Sequence, residues 1–389
     1  MLKHIAKIVW KNKRQNGLLL FELFISLIIL TTVFAYLLTN IEKVSSPLGF
    51  ETEDRYLVLF YDNSAEDSAA YVTKIDNLQR ALKQMPQVLS VSFGNTVYPF
   101  SGNNWQTGVM INNVNVPYLM ASMDENYQGT MGLKMHAGRW YTKPLDTSDN
   151  GEVVINKKFY DNHFSDQDVI DSVMELLDGQ KIVGIVEHYK YNGEFVDEDN
   201  VVLSYVDPHN AVYAQSLYVH VQPNTPPEIE QELSRVVFES TGIIDFNIRN
   251  LDETRKIDSR PSWVAITALS ALSIFLVINV AMGLFGVLWT NVKRRHYEIS
   301  LRKALGASQY HILGQFMLES TGLVLLALVA GSAIVLQIIH FNLISGEIRH
   351  MHTGLVFAGL FIFLLVIACA LYPAWRAARF EPAEGLKDE

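Results

Sequence analysis

The chain has a single cysteine, Cys369, in 389 residues, so no intramolecular disulfide can form and any folded domain must rest on its own core. Cys369 lies in an apolar stretch and reads as small apolar packing. The sequence also contains no G-x-x-x-x-G-K-[ST]; without a P-loop it has no cradle for nucleotide phosphates, and any ATP use is expected on another polypeptide. No H-E-x-x-H or Cys-His spacing occurs, and His136, His163, His188, His209 and His220 are scattered. Asp197-Glu198-Asp199 lacks the glycine and alternating ligands of a calcium loop and reads as a solvated charge run. Accordingly no residue is assigned to catalysis, to a cofactor or to a metal. The net charge of -10 argues against nucleic acid as a partner.

What the chain does have is four apolar stretches, Leu18 to Leu38, Val264 to Trp289, Met317 to Ile339 and Gly354 to Tyr372. Each is long enough for a bilayer core of roughly 30 Å, which takes about 20 helical residues. The second and fourth contain no Asp, Glu, Lys, Arg or His. Glu22 and Glu319 fall within about two turns of a span end, where a carboxylate reaches the headgroups. Lys3, Lys7, Lys11, Lys13 and Arg14 precede the first span, and Lys293, Arg294, Arg295, Arg302 and Lys303 follow the second. Positive flanks stay inside during insertion, so both termini and the loop at 291–314 are expected to be cytoplasmic, with 40–260 and 341–353 outside.

The first apolar run exceeds the 7 to 15 residues of a signal-peptide core, and an uncleaved anchor is the reading adopted. Residues 1–16 read either as a basic amphipathic helix in the headgroup plane or as a simple basic flank. Asn279, Ser270, Ser273 and Thr267 are expected to make single interhelical hydrogen bonds, and Gly283 with Gly286 and Ala327 with Gly331 to allow close helix approach. A solute channel through four such helices is not expected.

The outer segment holds about twice as many acidic as basic residues. Arg55 to Phe60 reads as a strand, Ala65 to Gln84 as a helix and Val88 to Phe93 as a strand, with further strands at Gly108 to Ile111 and Tyr118 to Met123. The pattern resumes with a strand at Leu217 to Val221, a helix at Pro226 to Ser240 and a strand at Ile244 to Ile248. Two such halves, 50–131 and 209–250, predict one α+β layer of split βαβ type. Between them, 132–208 reads as a small, mostly β insertion carrying Glu152 to Asn156 and Lys181 to Val186. Tyr189, Tyr191 and Phe195 read either as a contact surface or as exposed aromatics on a hairpin.

The loop after the second span is the most specific segment. Arg294 to Leu305 are good helix formers, Glu298 stands four before Arg302 for an ion pair, and Leu301 and Leu305 fall one turn apart on an apolar stripe. Gly306 is a natural helix stop, and Ser308 can cap a second helix running through Ile312, Leu313 and Phe316 into the third span. Tyr297-Glu-Ile-Ser-Leu-Arg-Lys-Ala-Leu-Gly-Ala-Ser308, with Gln315-Phe316 and Glu319, resembles the cytoplasmic signature of the MacB/FtsX-type ABC transporter permeases, with Ser300 where glycine is usual. Tyr372-Pro-Ala-Trp-Arg-Ala-Ala-Arg-Phe-Glu-Pro-Ala-Glu-Gly-Leu-Lys387 is similar to the family's C-terminal ending, with Gly385 and Lys387 in place of Ala and Arg. Ala137-Gly-Arg-Trp140, Val153 to Asn156 and Val183 to Val186 resemble its periplasmic domain.

The resemblance implies an α+β membrane protein with four transmembrane helices, and a large periplasmic domain, porter-like with an inserted small mostly β subdomain, between the first two. It implies a non-catalytic subunit of the bacterial inner membrane, working as a homodimer or with a paralogous permease. A separate cytoplasmic ATPase would bind ATP and Mg and drive motion of the periplasmic domain. Glu298, Ile299, Leu301, Arg302, Lys303, Leu305 and Gly306 would form the coupling helix, and Arg376, Arg379 and Pro382 a second cytoplasmic contact. Efflux, with a periplasmic adaptor of the membrane fusion type, is the leading reading. Lipoprotein extraction and regulation of a cell-wall hydrolase are alternatives within the family. A periplasmic sensor or scaffold without an ATPase is the alternative from another class.

Overall fold

A computed structural model describes residues 13–61, 68–102, 106–111, 114–144, 151–165, 168–174, 179–209, 215–341 and 349–379. The expected headgroup helix at 1–16 therefore lies almost wholly outside the described residues, as does Pro382. The chain divides into two compact units, Lys43–Ser262 and a second made of Met1–Glu42 with Trp263–Glu389.

The first unit is built on one mixed sheet of eleven described strands. β1 (Arg55–Phe60), α2 (Ser68–Gln84) and β2 (Val88–Gly94) form one βαβ half, and β10 (Ser216–Val221), α5 (Ile229–Thr241) and β11 (Phe246–Asn250) the other. The order β11-β1-β10-β2 is antiparallel throughout, with Leu57 opposite Tyr218 on one side and Arg249 on the other. This is the split βαβ arrangement that the two sequence halves predict. Both helices lie on one face: Ile75, Leu78 and Leu82 of α2, and Ile229, Leu233 and Val237 of α5, pack on Val58, Phe93, Leu217 and Val219. Spacings of three and four on the helices meet alternate strand positions, as two amphipathic periods require.

The strands between β2 and β10 in the chain extend the same sheet. β4 (Val114–Met123) touches β2 through a single pair, Gly94 with Met123, and then runs parallel to β9 (Val201–Tyr205). Beyond β9 come β6 (Glu152–Asn156), β8 (Gln180–Val186) and β5 (Met135–Gly138), with β3 (Gln106–Ile111) paired to β4 and β7 (Ser172–Met174) to β8. Of the short helices, α4 (Lys157–His163) packs on β6 and β8 of this half, and α3 (Tyr127–Met131) on β2 and β10 of the layer. One core of Leu57, Leu119, Val154, Val183, Leu203 and Tyr218 joins insertion and layer, so the insertion is continuous with the layer in packing.

Two local elements differ from what the sequence predicts. Tyr189 and Tyr191 are fully buried, with Tyr189 Oη 2.9 Å from Tyr127 Oη, so they form neither a contact surface nor exposed hairpin aromatics. Asp197-Glu198-Asp199 is not a solvated run. Glu198 accepts from Asn156 Nδ2 at 2.9 Å and from the Tyr189 amide at 2.8 Å, and its carboxylate lies 3.1 Å from His188 Nδ1. A carboxylate beside a backbone N–H and an amide donor satisfies buried groups that a charge count does not reveal. Among the described residues no three His, Cys, Asp or Glu side chains converge as a metal site.

The second unit is a bundle of four long helices: α1 (Lys13–Ser45), α6 (Leu251–Arg294), α8 (Gln309–His340) and α9 (Met351–Ala378). Each contains a window apolar and long enough to cross a membrane. Leu19, Leu23, Leu27 and Leu30 of α1 make the central seam, packing on Val280 and Leu284, Val324 and Ala327, and Ala358, Ile362 and Val366. The helix of the second span starts earlier than its apolar run: α6 begins at Leu251, where Asn250 Oδ1 accepts from the Asp252 and Glu253 amides at 2.9 and 3.1 Å. An Asx cap with two acids in the first turn starts a helix regardless of hydropathy.

The candidate coupling helix

Between α6 and α8 the chain forms α7 (His296–Ala304). Its end follows the local chemistry: Gly306 takes φ 95°, a left-handed conformation open to glycine, and Ser308 caps α8, its Oγ accepting from the His311 amide at 3.2 Å. A turn of four residues thus folds α7 back on α8. Ile299, 4% exposed, anchors the inner face in a cluster with Val292, Ile312, Phe316, Ala374 and Ala377. Ser300 is fully buried beside it, which explains why only a small residue is accommodated where the signature has glycine.

A polar chain fixes the helix from its flank. Arg295 Nε donates to Glu298 at 2.9 Å and Nη1 to Glu319 at 2.7 Å, while its guanidinium lies 5.3 Å from the Phe316 ring centre. Glu298 also pairs with Arg302, the expected i,i+4 bridge. Arg302 Nη1 then donates to Gln315 Oε1 at 2.6 Å, and Gln315 Nε2 to Glu319 Oε1 at 2.9 Å, closing a ring of side chains across α7 and α8. The hydrogen bond from Arg295 leads in holding the Glu298 carboxyl below its ordinary range. Burial works against the Arg295 charge, but Glu298 and Glu319 outweigh it and keep the guanidinium protonated. Lys303 Nζ donates to the Ala378 carbonyl at 2.8 Å, tying α7 to the end of α9.

The candidate residues separate into two sets. Glu298, Ile299, Arg302 and Lys303 are engaged within the protein, and Gly306 is a turn residue. Leu301 and Leu305 face outward at 42% and 81% exposure, with Tyr297 and Tyr310 also exposed. Arg295, Gln315 and Glu319 complete the network and were not among the assigned site residues. Arg295 stands three before Glu298, a spacing that sequence alone offers; Gln315 and Glu319 enter through the fold-back of α8. Arg376 and Arg379 are not brought to α7's outer face. Arg376 lies over the Trp289 ring and Arg379 over Trp375.

Residues 20–236 match the MacB-like periplasmic core domain, more than half of the chain, and residues 270–382 match the FtsX-like permease C-terminal domain. The chain belongs to the MacB/FtsX-type ABC transporter permeases. It is 24% identical over 294 residues to the macrolide export ATP-binding/permease protein MacB of Bordetella avium, covering 71% of this chain and 44% of that protein. To a MacB 2 of Aeromonas hydrophila it is 27% identical over 271 residues, covering 66% and 41%. The chain thus spans less than half the length of these relatives. The periplasmic region of MacB from Actinobacillus actinomycetemcomitans aligns over 53% of this chain and 92% of its own, at 15% identity and a TM-score of 0.37. As a member of this family the chain is an ABC transporter permease with membrane-spanning helices and a periplasmic-type domain.

Proposed function

We propose that this permease converts ATP binding and hydrolysis on a separate cytoplasmic ATPase into motion of its periplasmic domain, and that the work serves efflux or export of a periplasmic substrate. The observation that carries the reading is α7 itself: a short helix locked on its inner side by Ile299 and the Arg295-Glu298-Arg302-Gln315-Glu319 network, yet presenting Leu301 and Leu305 to solvent. Exposed leucines on a rigid polar element are what a docking partner would bury. The macrolide named for the MacB relatives is one substrate class to try first.

Because Arg302 is held inside the network, replacing it would disturb the helix as well as any partner. L301D/L305D is the cleaner test. Co-purification with the cytoplasmic ABC ATPase that the wild-type permease captures from native membranes should fall roughly tenfold or more, as loss of two buried apolar anchors predicts. Membrane insertion and thermal stability should be unchanged. Undiminished capture and ATPase stimulation would place the ATPase contact away from Leu301 and Leu305, whereas a wild-type permease that captures no ATPase would favour a sensor or scaffold.

A further inference from the structure

At the end of the bundle where α7 lies, α6 and α9 carry rings followed by cations. On α6, Phe285, Trp289 and Lys293 recur every fourth residue; on α9, Tyr372, Trp375, Arg376 and Arg379 recur at spacings of one, three and four. The rings interlock across the two helices: Phe285 and Trp289 lie 6.0 and 6.3 Å from Tyr372, tilted by only 29° and 17°. The cations sit on them. Arg376 is 4.8 Å and Lys293 5.5 Å from the centre of the same Trp289 ring, and Arg379 is 3.9 Å from that of Trp375.

Arg295 and Arg302, at the same end, are paired with Glu298 and Glu319. Lys293, Arg376 and Arg379 have no carboxylate partner among the described residues, and all three are exposed. Helix C-termini favour one cation each, which accounts for part of this but not for two cations sharing one ring. Mutual repulsion among them is relieved by an anion. The depth is also defined: four residues of helix place the cations about 6 Å beyond the rings, the step from the aromatic belt to the phosphates of a leaflet. Below the rings Ile278, on the same side of α6, is an exposed apolar residue.

We propose that this face binds an anionic phospholipid, its phosphate held by Lys293, Arg376 and Arg379 and its chains lying along Phe285, Trp289 and Tyr372. Arg376 and Arg379 then serve the membrane and not the ATPase contact, which Leu301 and Leu305 make independently of them.

The full-length protein, reconstituted in nanodiscs of phosphatidylethanolamine with a minor share of phosphatidylglycerol, would be released and its retained lipids counted by native mass spectrometry. Wild type should retain phosphatidylglycerol in preference to phosphatidylethanolamine, and R376Q/R379Q should lose that preference by roughly tenfold or more. R376K/R379K should retain part of it, and both variants should still capture the ATPase and elute as monodisperse species. Undiminished preference in R376Q/R379Q would overturn the proposal. So would its loss to the same level in R376K/R379K, which marks a packing defect, or its abolition in wild type by excess inorganic phosphate, which marks a free-anion site. Retained lipid with lost ATPase capture would return the arginines to the ATPase interface.

Discussion

Asp124 shows how a single residue in the sheet domain sets a pH response. Its carboxylate accepts Ser92 Oγ at 2.6 Å, the Phe93 amide at 2.9 Å and the Asn126 amide at 3.0 Å, and is almost wholly buried. Burial pushes its pKa up from 3.8 to about 6, the three donors only partly offsetting that cost. In the unfolded chain the group releases its proton near the ordinary value, so between these two values the folded state binds more protons. Stability from this group therefore falls as pH rises through that window, by about 3 kcal/mol in all. Hydrogen exchange of the β2 segment, corrected for intrinsic rates, should show protection declining from acid toward neutral pH. D124N should flatten that decline, and an equally steep decline in the variant would locate the titration elsewhere.

Among elements, α1 and α9 approach each other backbone to backbone at Gly354. A Cβ on Gly354 would sit 2.7 Å from the Thr31 carbonyl oxygen and 2.8 Å from the Ala35 amide nitrogen, atoms that cannot swing aside. Gly359, five residues on, has nothing within 4 Å of its Cβ position. Alanine gains up to about 1 kcal/mol over glycine in a helix, against about 1–3 kcal/mol for overpacking. G359A should therefore leave the melting temperature in detergent unchanged or raised, while G354A lowers it by several degrees; equal shifts would refute this approach. This element was not legible in sequence, because a glycine near a span end carries no sign of what faces it. Of the small residues that were singled out, Gly331 meets Leu27 and Gly283 meets Glu22, whereas Gly286 meets nothing. The coupling helix was far more legible: Gly306, Ser308 and the Glu298-Arg302 spacing are local signals, and local signals fix α7 and its turn. Its locks to Glu319, Gln315 and the Ala378 carbonyl join positions far apart in the chain, which periodicity cannot pair. The buried Tyr189, Tyr191 and Glu198 were misread for the same reason, since polarity along the chain does not report which strands close over it.

For the whole molecule, the helices and the split βαβ halves followed from hydropathy and period, while the joining of the insertion into one sheet rested on the parallel β4–β9 pairing, which no turn signal announces. Among the four spans α6 is the least covered, with 11% of its apolar window buried against 28–44% in the others. Apolar exposure alone is no argument in lipid, but its exposed face also includes Asn279, whose Nδ2, among the described residues, donates to its own helix at Phe275 O, 2.8 Å away. A carboxamide facing hydrocarbon is costly, and a second copy of α6 would supply its partner. We therefore expect the permease to pair through this face, either with itself or with a paralogue. In a C369S background, cysteine placed at Ala271 or Met282, both on the face of Asn279, should give disulfide-linked dimers in native membranes on mild oxidation. Cysteine at Val356 or Phe357, exposed on α9, should not. N279L should reduce cross-linking at Met282 several-fold, as the loss of one interhelical hydrogen bond of about 1 kcal/mol implies. Cross-linking only through α9 would place the interface on that helix and leave Asn279 facing lipid.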